Sequence, residues 1–300
     1  MSRGHLNQLL RVTWIGLGVN AALMAAKFAA GILGHSQAVV ADAVHTFSDL
    51  STDVALLVGV RYWSAPADDT HPHGHRRIET LVTVFIASVL ALVAVMLIYN
   101  AVATLKEKHL SPPAWTAFAA AMASIVVKEG LYRWTAAVGR RIRSSAMVAN
   151  AWHHRSDAFS SVPAAVAVFA ARIHPAWAFL DHVGAVVVSA IILWAAWQIA
   201  FPALRELTDV SAPQEDRLRI EEIALGTAGV KTAHAIRTRY IGSGLAVDMH
   251  VTVDKVVSVD EGHRISEEVT SRLLAQGPEV LDVVVHLEPY EATEEPTQEM

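Results

Sequence analysis

Long apolar stretches separated by short polar ones run through the first two thirds of the chain. They cover roughly residues 12–33, 37–63, 78–105, 115–134, 147–173 and 177–202, each near or above the ~20 residues that carry a helix across a bilayer. The pattern predicts six membrane spans. The first follows a polar start containing Arg3 and Arg11, shows no small-residue cleavage site and is too long for a signal-peptide core, so it reads as a retained span. After Pro202 the period changes. The stretch RELTDVSAPQED is charged and contains proline, and a helical pattern over about 214–227 follows it. Next come two alternating runs, HAIRTRYIG and GLAVDMHVTV, a second helical pattern over about 259–276, and the run EVLDVVVHLEP. The order is αββαβ, enough to cover one face of a three-stranded sheet with two helices and leave the other face or an edge for a second chain. The expected fold is therefore an α-helical membrane domain over 1–206, a small α+β domain over 207–290, and an acidic disordered tail over 291–300.

Composition agrees: 53% of the 300 residues are hydrophobic, 18% are charged, and the mean hydropathy is positive, a value that soluble domains seldom reach. The net charge of −5 and the absence of a basic surface stripe argue against nucleic-acid binding. Basic residues instead sit at span ends. Arg3, Arg11, Arg61, Arg76, Arg77, Arg133, Arg140, Arg141 and Arg143 fall on one side, while Lys106, Lys108 and Arg172 fall on the other. That asymmetry predicts cytoplasmic termini. There is no cysteine, so any metal must be held by His, Asp and Glu.

Two spans carry ionisable groups, which persist at membrane depth where they face a cavity or a partner. In VVADAVHTFSDLSTD, Asp42, His45 and Asp49 share one helical stripe, with Asp53 at its edge. His45 and Asp49 are close enough to grip one ion. In ANAWHHRSDAF, His153 and Asp157 repeat the HxxxD spacing, and His154, three residues from Asp157, competes for the role. Two imidazoles and two carboxylates suit Zn2+, which takes four tetrahedral N/O ligands at about 2.0–2.2 Å, better than Mg2+ or Ca2+. Asp42 reads as a helix–helix or water contact. Asn20, Lys27, Lys128 and Glu129 lack a matched partner pattern and read as interhelical contacts, snorkelling groups or cavity lining.

With HxxxD on the second and fifth of six spans ahead of an αββαβ module, the chain resembles the cation diffusion facilitator family of metal/proton antiporters. ADAVHTFSD and HHRSD carry the resemblance. It implies a transport site of His45, Asp49, His153 and Asp157, and a preference for Zn2+ over Fe2+, Mn2+ or Cd2+ because position 45 is His. It implies a second zinc site in the loop PADDTHPHGHRRIE at Asp68, His71 and His75, with His73 as an extra candidate. In the soluble module it implies a binuclear zinc site at a dimer interface, matched by His234, His250, His263, His286 and Glu288. It further implies a charge contact between Arg77 and Asp209. The expected protein is a homodimeric secondary transporter exporting zinc against protons, not an enzyme. No HExxH occurs, and four protein ligands leave no open position for catalysis. A zinc sensor or scaffold would need the cytoplasmic histidines but not the intramembrane quartet. High Ala, Val and Arg usage points to a bacterial inner membrane.

Overall fold

The computed structural model describes residues 3–105, 112–141, 144–242 and 244–291. Lys106, Lys108 and Arg143, used above to orient the chain, and the tail from 292 onward lie outside the described residues. Two compact units emerge: Met1–Tyr62 with Val82–Ala200, and Trp63–Leu81 with Phe201–Met300.

The first unit is built of long helices: α1 (Arg3–Leu33), α2 (Gln37–Trp63), α3 (Arg77–Thr104), α4 (Trp115–Arg141), α5 (Ser145–Ser160), α6 (Val162–Ile173) and α7 (Phe179–Leu207), with Trp63, the start of α3 up to Leu81 and the end of α7 from Phe201 belonging to the second unit. The segments Arg11–Leu33, Arg77–Thr104 and Phe179–Leu207 are long and apolar enough on their own to cross a membrane. The second and fourth expected spans carry charged residues, and the fifth is not one helix but two. Ser161 interrupts it, and Pro163 stands in the first turn of α6, where a missing N–H costs nothing. Two other boundaries differ from expectation. α4 continues past Trp134 to Arg141, and α7 runs through Pro202 to Leu207, because amphipathic or basic turns at a membrane surface extend a helix without extending its apolar run.

The packed interior is made largely of alanine. Ala38, Ala41, Ala94, Ala117, Ala121, Ala164, Ala165 and Ala167 surround Val39, Val168, Val188 and Ile192. Small residues let helix backbones approach closely, the main source of adhesion where lipid is as apolar as the side chains. At Gly184 of α7 an added Cβ would sit 2.4 Å from the Ala167 Cβ and 3.2 Å from the Ala38 Cβ, so glycine is required where α7 meets α6 and α2. Outward, α3 presents Leu81, Phe85, Leu92, Val95, Met96 and Tyr99, a lipid-type face.

The second unit contains α8 (Gln214–Leu225), β1 (Val230–Ile241), β2 (Gly244–Val253), α9 (Val259–Gln276) and β3 (Val280–Pro289). This is the αββαβ order that the periodicity predicts. β2 is central, antiparallel to β1 and parallel to β3, with α9 as the crossover that parallel pairing demands. Val247, Met249, Val251 and Val253 of β2 meet Ile220 and Ile223 of α8 and Ile265, Val269 and Leu273 of α9. The alternate residues Asp248, His250 and Thr252 therefore point to the opposite face. Ser258 caps α9, its hydroxyl accepting from the Glu261 amide at 3.2 Å.

Candidate metal sites

The intramembrane group forms where α2, α4 and α5 meet. His45, Asp49 and Asp157 each bring a ligand atom within 4.8 Å of the others'. His45 and Asp157 are buried, and the Asp49 side chain is 12% exposed. His45 Nδ1, Asp49 Oδ2 and Asp157 Oδ2 are buried without a hydrogen bond. Such atoms are costly to leave unpaired, and a cation would satisfy them.

His153, the fourth expected member, stands apart from that tight group. Its Nδ1 is 3.7 Å from Asp157 Oδ1, and its side chain is 52% exposed. His154 is buried instead and faces α1, its Nε2 3.4 Å from where a Cβ on Gly16 would lie. Adjacent residues on a helix point ~100° apart, so only one of the two can face the cluster. His153 shares its side with Asp157.

Of the readings open for the two lysines, the interhelical one fits: Lys27 and Lys128 are fully buried and lie against carboxylates of other helices rather than snorkelling. Lys27 Nζ lies 2.8 Å from Asp42 Oδ2 and donates to Thr46 Oγ1 and Ser161 Oγ, each at 3.0 Å. Ser161 Oγ in turn donates to Asp42 Oδ1 at 2.8 Å. Asp42 is therefore a helix–helix contact as expected, but an ionic one, tying α1 and α2 to the break between α5 and α6. Lys128 Nζ lies 3.4 Å from Asp157 Oδ2 and 4.0 Å from Asp49 Oδ2. Glu129, next to it, turns the other way to Arg133 at 2.8 Å and Arg155 at 3.5 Å. Arg155 also lies over the Tyr132 ring at 4.7 Å.

The loop before α3 folds around Asp68. Its Oδ1 accepts from the Thr70 hydroxyl at 2.8 Å, the Thr70 amide at 2.9 Å and the His71 amide at 2.7 Å. These bonds, that from the Thr70 hydroxyl foremost, hold the carboxyl down at about 2. Because the folded value lies below the ordinary one, the charged, hydrogen-bonded form is lost only as pH falls through that value. Asp68 Oδ2 faces His75 Nε2 at 3.3 Å, and Asp68 Oδ1 lies 3.5 Å from His71 Nδ1. His75 Nδ1 meets the Pro66 carbonyl at 3.1 Å, the kind of contact that fixes a ligating histidine's tautomer and leaves its other nitrogen free for a metal. Asp68, His71 and His75 form one ligand-sized group; His73 is outside it.

On the helix-free face of the module, His234, His250 and His286 lie in register across β1, β2 and β3. Glu288 reaches all three: Oε1 is 2.8 Å from His250 Nδ1 and 3.6 Å from His286 Nε2, and Oε2 is 3.3 Å from His234 Nε2. A bulge after His234 places Ala235 at φ 48°, a strained backbone beside a polar cluster. His263 on α9 pairs with Glu267 at 3.3 Å and does not join the group of His234, His250 and Glu288.

The expected contact between Arg77 and Asp209 is present at 3.2 Å, both side chains exposed. A second link had no sequence signature. Glu206 Oε1 accepts from Thr80 Oγ1 and from the Gly242 amide, each at 2.7 Å, joining the first turn of α3 to the β1–β2 turn. Glu206→Ala frees that amide, and hydrogen exchange at Gly242 should quicken at least about fivefold, as loss of a charge-assisted bond implies. Unchanged exchange would show that the turn is held by other contacts.

The chain matches the family model for the cation efflux transmembrane domain over residues 13–208, and that for the cation efflux protein cytoplasmic domain over residues 212–290. It is 34% identical over 290 residues to metal tolerance protein C1 of Arabidopsis thaliana, covering 92% of this chain and 61% of that protein. It is 30% identical to the manganese efflux system protein MneP of Bacillus subtilis, covering 93% and 96%. Among solved structures, a MamM-CTD variant is 26% identical, with a TM-score of 0.26, over 26% of this chain and 95% of that one.

Proposed function

Because the chain belongs to the cation diffusion facilitator family of divalent-metal transporters, we propose that it exports Zn2+ from the cytoplasm in exchange for protons. It does so as a homodimer by alternating access. The observation that carries this reading is the buried group of His45, Asp49 and Asp157, with His153 swinging in from beside Asp157 as the fourth ligand. A nitrogen donor at position 45 suits zinc better than the all-oxygen sets of harder ions. An imidazole must shed its proton to bind metal, so metal and protons compete for the same nitrogens. Exchange follows from that competition. Asp68, His71 and His75, and the row of His234, His250 and His286 with Glu288, are proposed cytoplasmic zinc sites that bias the transport equilibrium. The match to a dimer-forming cytoplasmic domain supports assembly through the module. On this proposal the protein works in a bacterial inner membrane with both termini inside, a reading supported by the asymmetry of basic residues at the span ends.

A second reading, Mn2+ as the cargo, is favoured by two similar Bacillus subtilis proteins named as manganese efflux systems. Proteoliposomes holding a pH-sensitive dye separate the two. Zn2+ uptake should exceed Mn2+ uptake by at least about tenfold and be matched by opposing proton flux. Faster Mn2+ would transfer the assignment to manganese, and Zn2+ movement without protons would end the antiport reading.

A further inference from the structure

The two buried lysines are held in different ways. Lys27 Nζ is surrounded by Asp42, Thr46 and Ser161 at 2.8–3.0 Å. Lys128 Nζ makes no hydrogen bond. It stands at mid-helix in α4, 3.4 and 4.0 Å from the outer oxygens of Asp157 and Asp49, which also lack hydrogen-bond partners. An ammonium on a flexible four-carbon stem, attached by charge alone to the two carboxylates that complete the group with His45, is placed to be displaced.

We propose that Lys128 is a tethered counter-cation of the transport site, competing with the incoming metal for Asp49 and Asp157 and so setting how tightly the metal is held. This rests on the reading of His45, Asp49 and Asp157 as the transport site. The charges decide the sign. Two carboxylates and one ammonium leave a single negative charge in an apolar interior. A dication brings that to one positive charge while Lys128 stays, and to neutrality when the lysine is replaced by an uncharged residue. Repulsion between like charges a few ångströms apart away from water is large, so the wild-type site holds metal loosely. Looseness aids release. Between cargoes the same ammonium spares the membrane interior two uncompensated carboxylates.

The test uses purified full-length protein in nanodiscs titrated separately with Zn2+ and Mn2+, reading only the binding that Asp49→Ala removes. Lys128→Met should tighten that component at least tenfold, about 1.4 kcal/mol, and in proteoliposomes should lower both KM and the maximal rate. Lys128→Arg keeps the charge and grips carboxylates more firmly, so it should bind metal no tighter than wild type. A lysine that merely held helices together would give the opposite sign in Lys128→Met: weaker binding with poorer folding. Lys128→Gln carries the same expectation if methionine is not tolerated. Unchanged or weaker binding in the uncharged variants would overturn the proposal. If Asp49→Ala removes no binding in either background, it is the underlying site assignment that falls.

Discussion

Asp157→Asn should lower initial metal flux in proteoliposomes by at least about 100-fold while leaving a folded, monodisperse protein. Several contacts converge on this carboxylate. It belongs to the ligand-sized group with His45 and Asp49, lies 3.7 Å from His153, and lies 3.4 Å from the Lys128 ammonium. An amide matches the carboxylate in shape but not in charge. Cations at a buried site are held mainly by opposing charge, and a 100-fold loss corresponds to about 2.7 kcal/mol, well within the strength of a charged contact away from water. The same substitution leaves Lys128 with only the more distant Asp49, which further disfavours a dication. Flux within about threefold of wild type would remove Asp157 from the site. Flux lost together with the protein's monodispersity would be a folding defect, which thermal unfolding of the variant tells apart.

Lys27→Met should destabilise the helical unit by about 3–5 kcal/mol, the range found when one partner of a buried pair is removed. It would leave Asp42 charged and enclosed at 0% exposure. Removing both charges, as Lys27→Met with Asp42→Asn, should restore most of the loss, because the cost arises from the orphaned partner rather than from the missing attraction. Thermal unfolding in detergent across the double-mutant cycle gives the coupling. A single variant losing less than about 1 kcal/mol would show that other contacts hold α1 and α2.

The soluble module was legible almost residue by residue. Its strands alternate with period two and its helices with period 3.6, and both patterns report burial directly. The intramembrane carboxylates and His45 were legible because charge in an apolar run has few explanations. Lys27 and Lys128 were not, since their partners lie on other helices and interhelical pairing leaves no spacing signature. Charge compensation would have pointed to them: Asp42, Asp49 and Asp157 are among the carboxylates in the spans, and an apolar interior requires a partner for each buried charge. The break in the fifth span was also signalled, by the proline of SSVP, since a proline inside a helix removes an i→i−4 hydrogen bond and its ring crowds the preceding turn. The preference for His153 over His154 came from the resemblance, and the fold adds that His154 is buried near Gly16 of α1 while His153 is half exposed beside Asp157.

The position of that break has a mechanical meaning. Asp157 lies four residues before Ser161, and Ser145 lies sixteen before it, distances of about 6 Å and about 24 Å along a helix. If α5 pivots at Ser161 through about 10°, Asp157 shifts by about 1 Å while the far end of the helix sweeps about 4 Å. A fulcrum placed this close to the carboxylate would let one end of α5 open and close widely while the proposed ion seat stayed almost still.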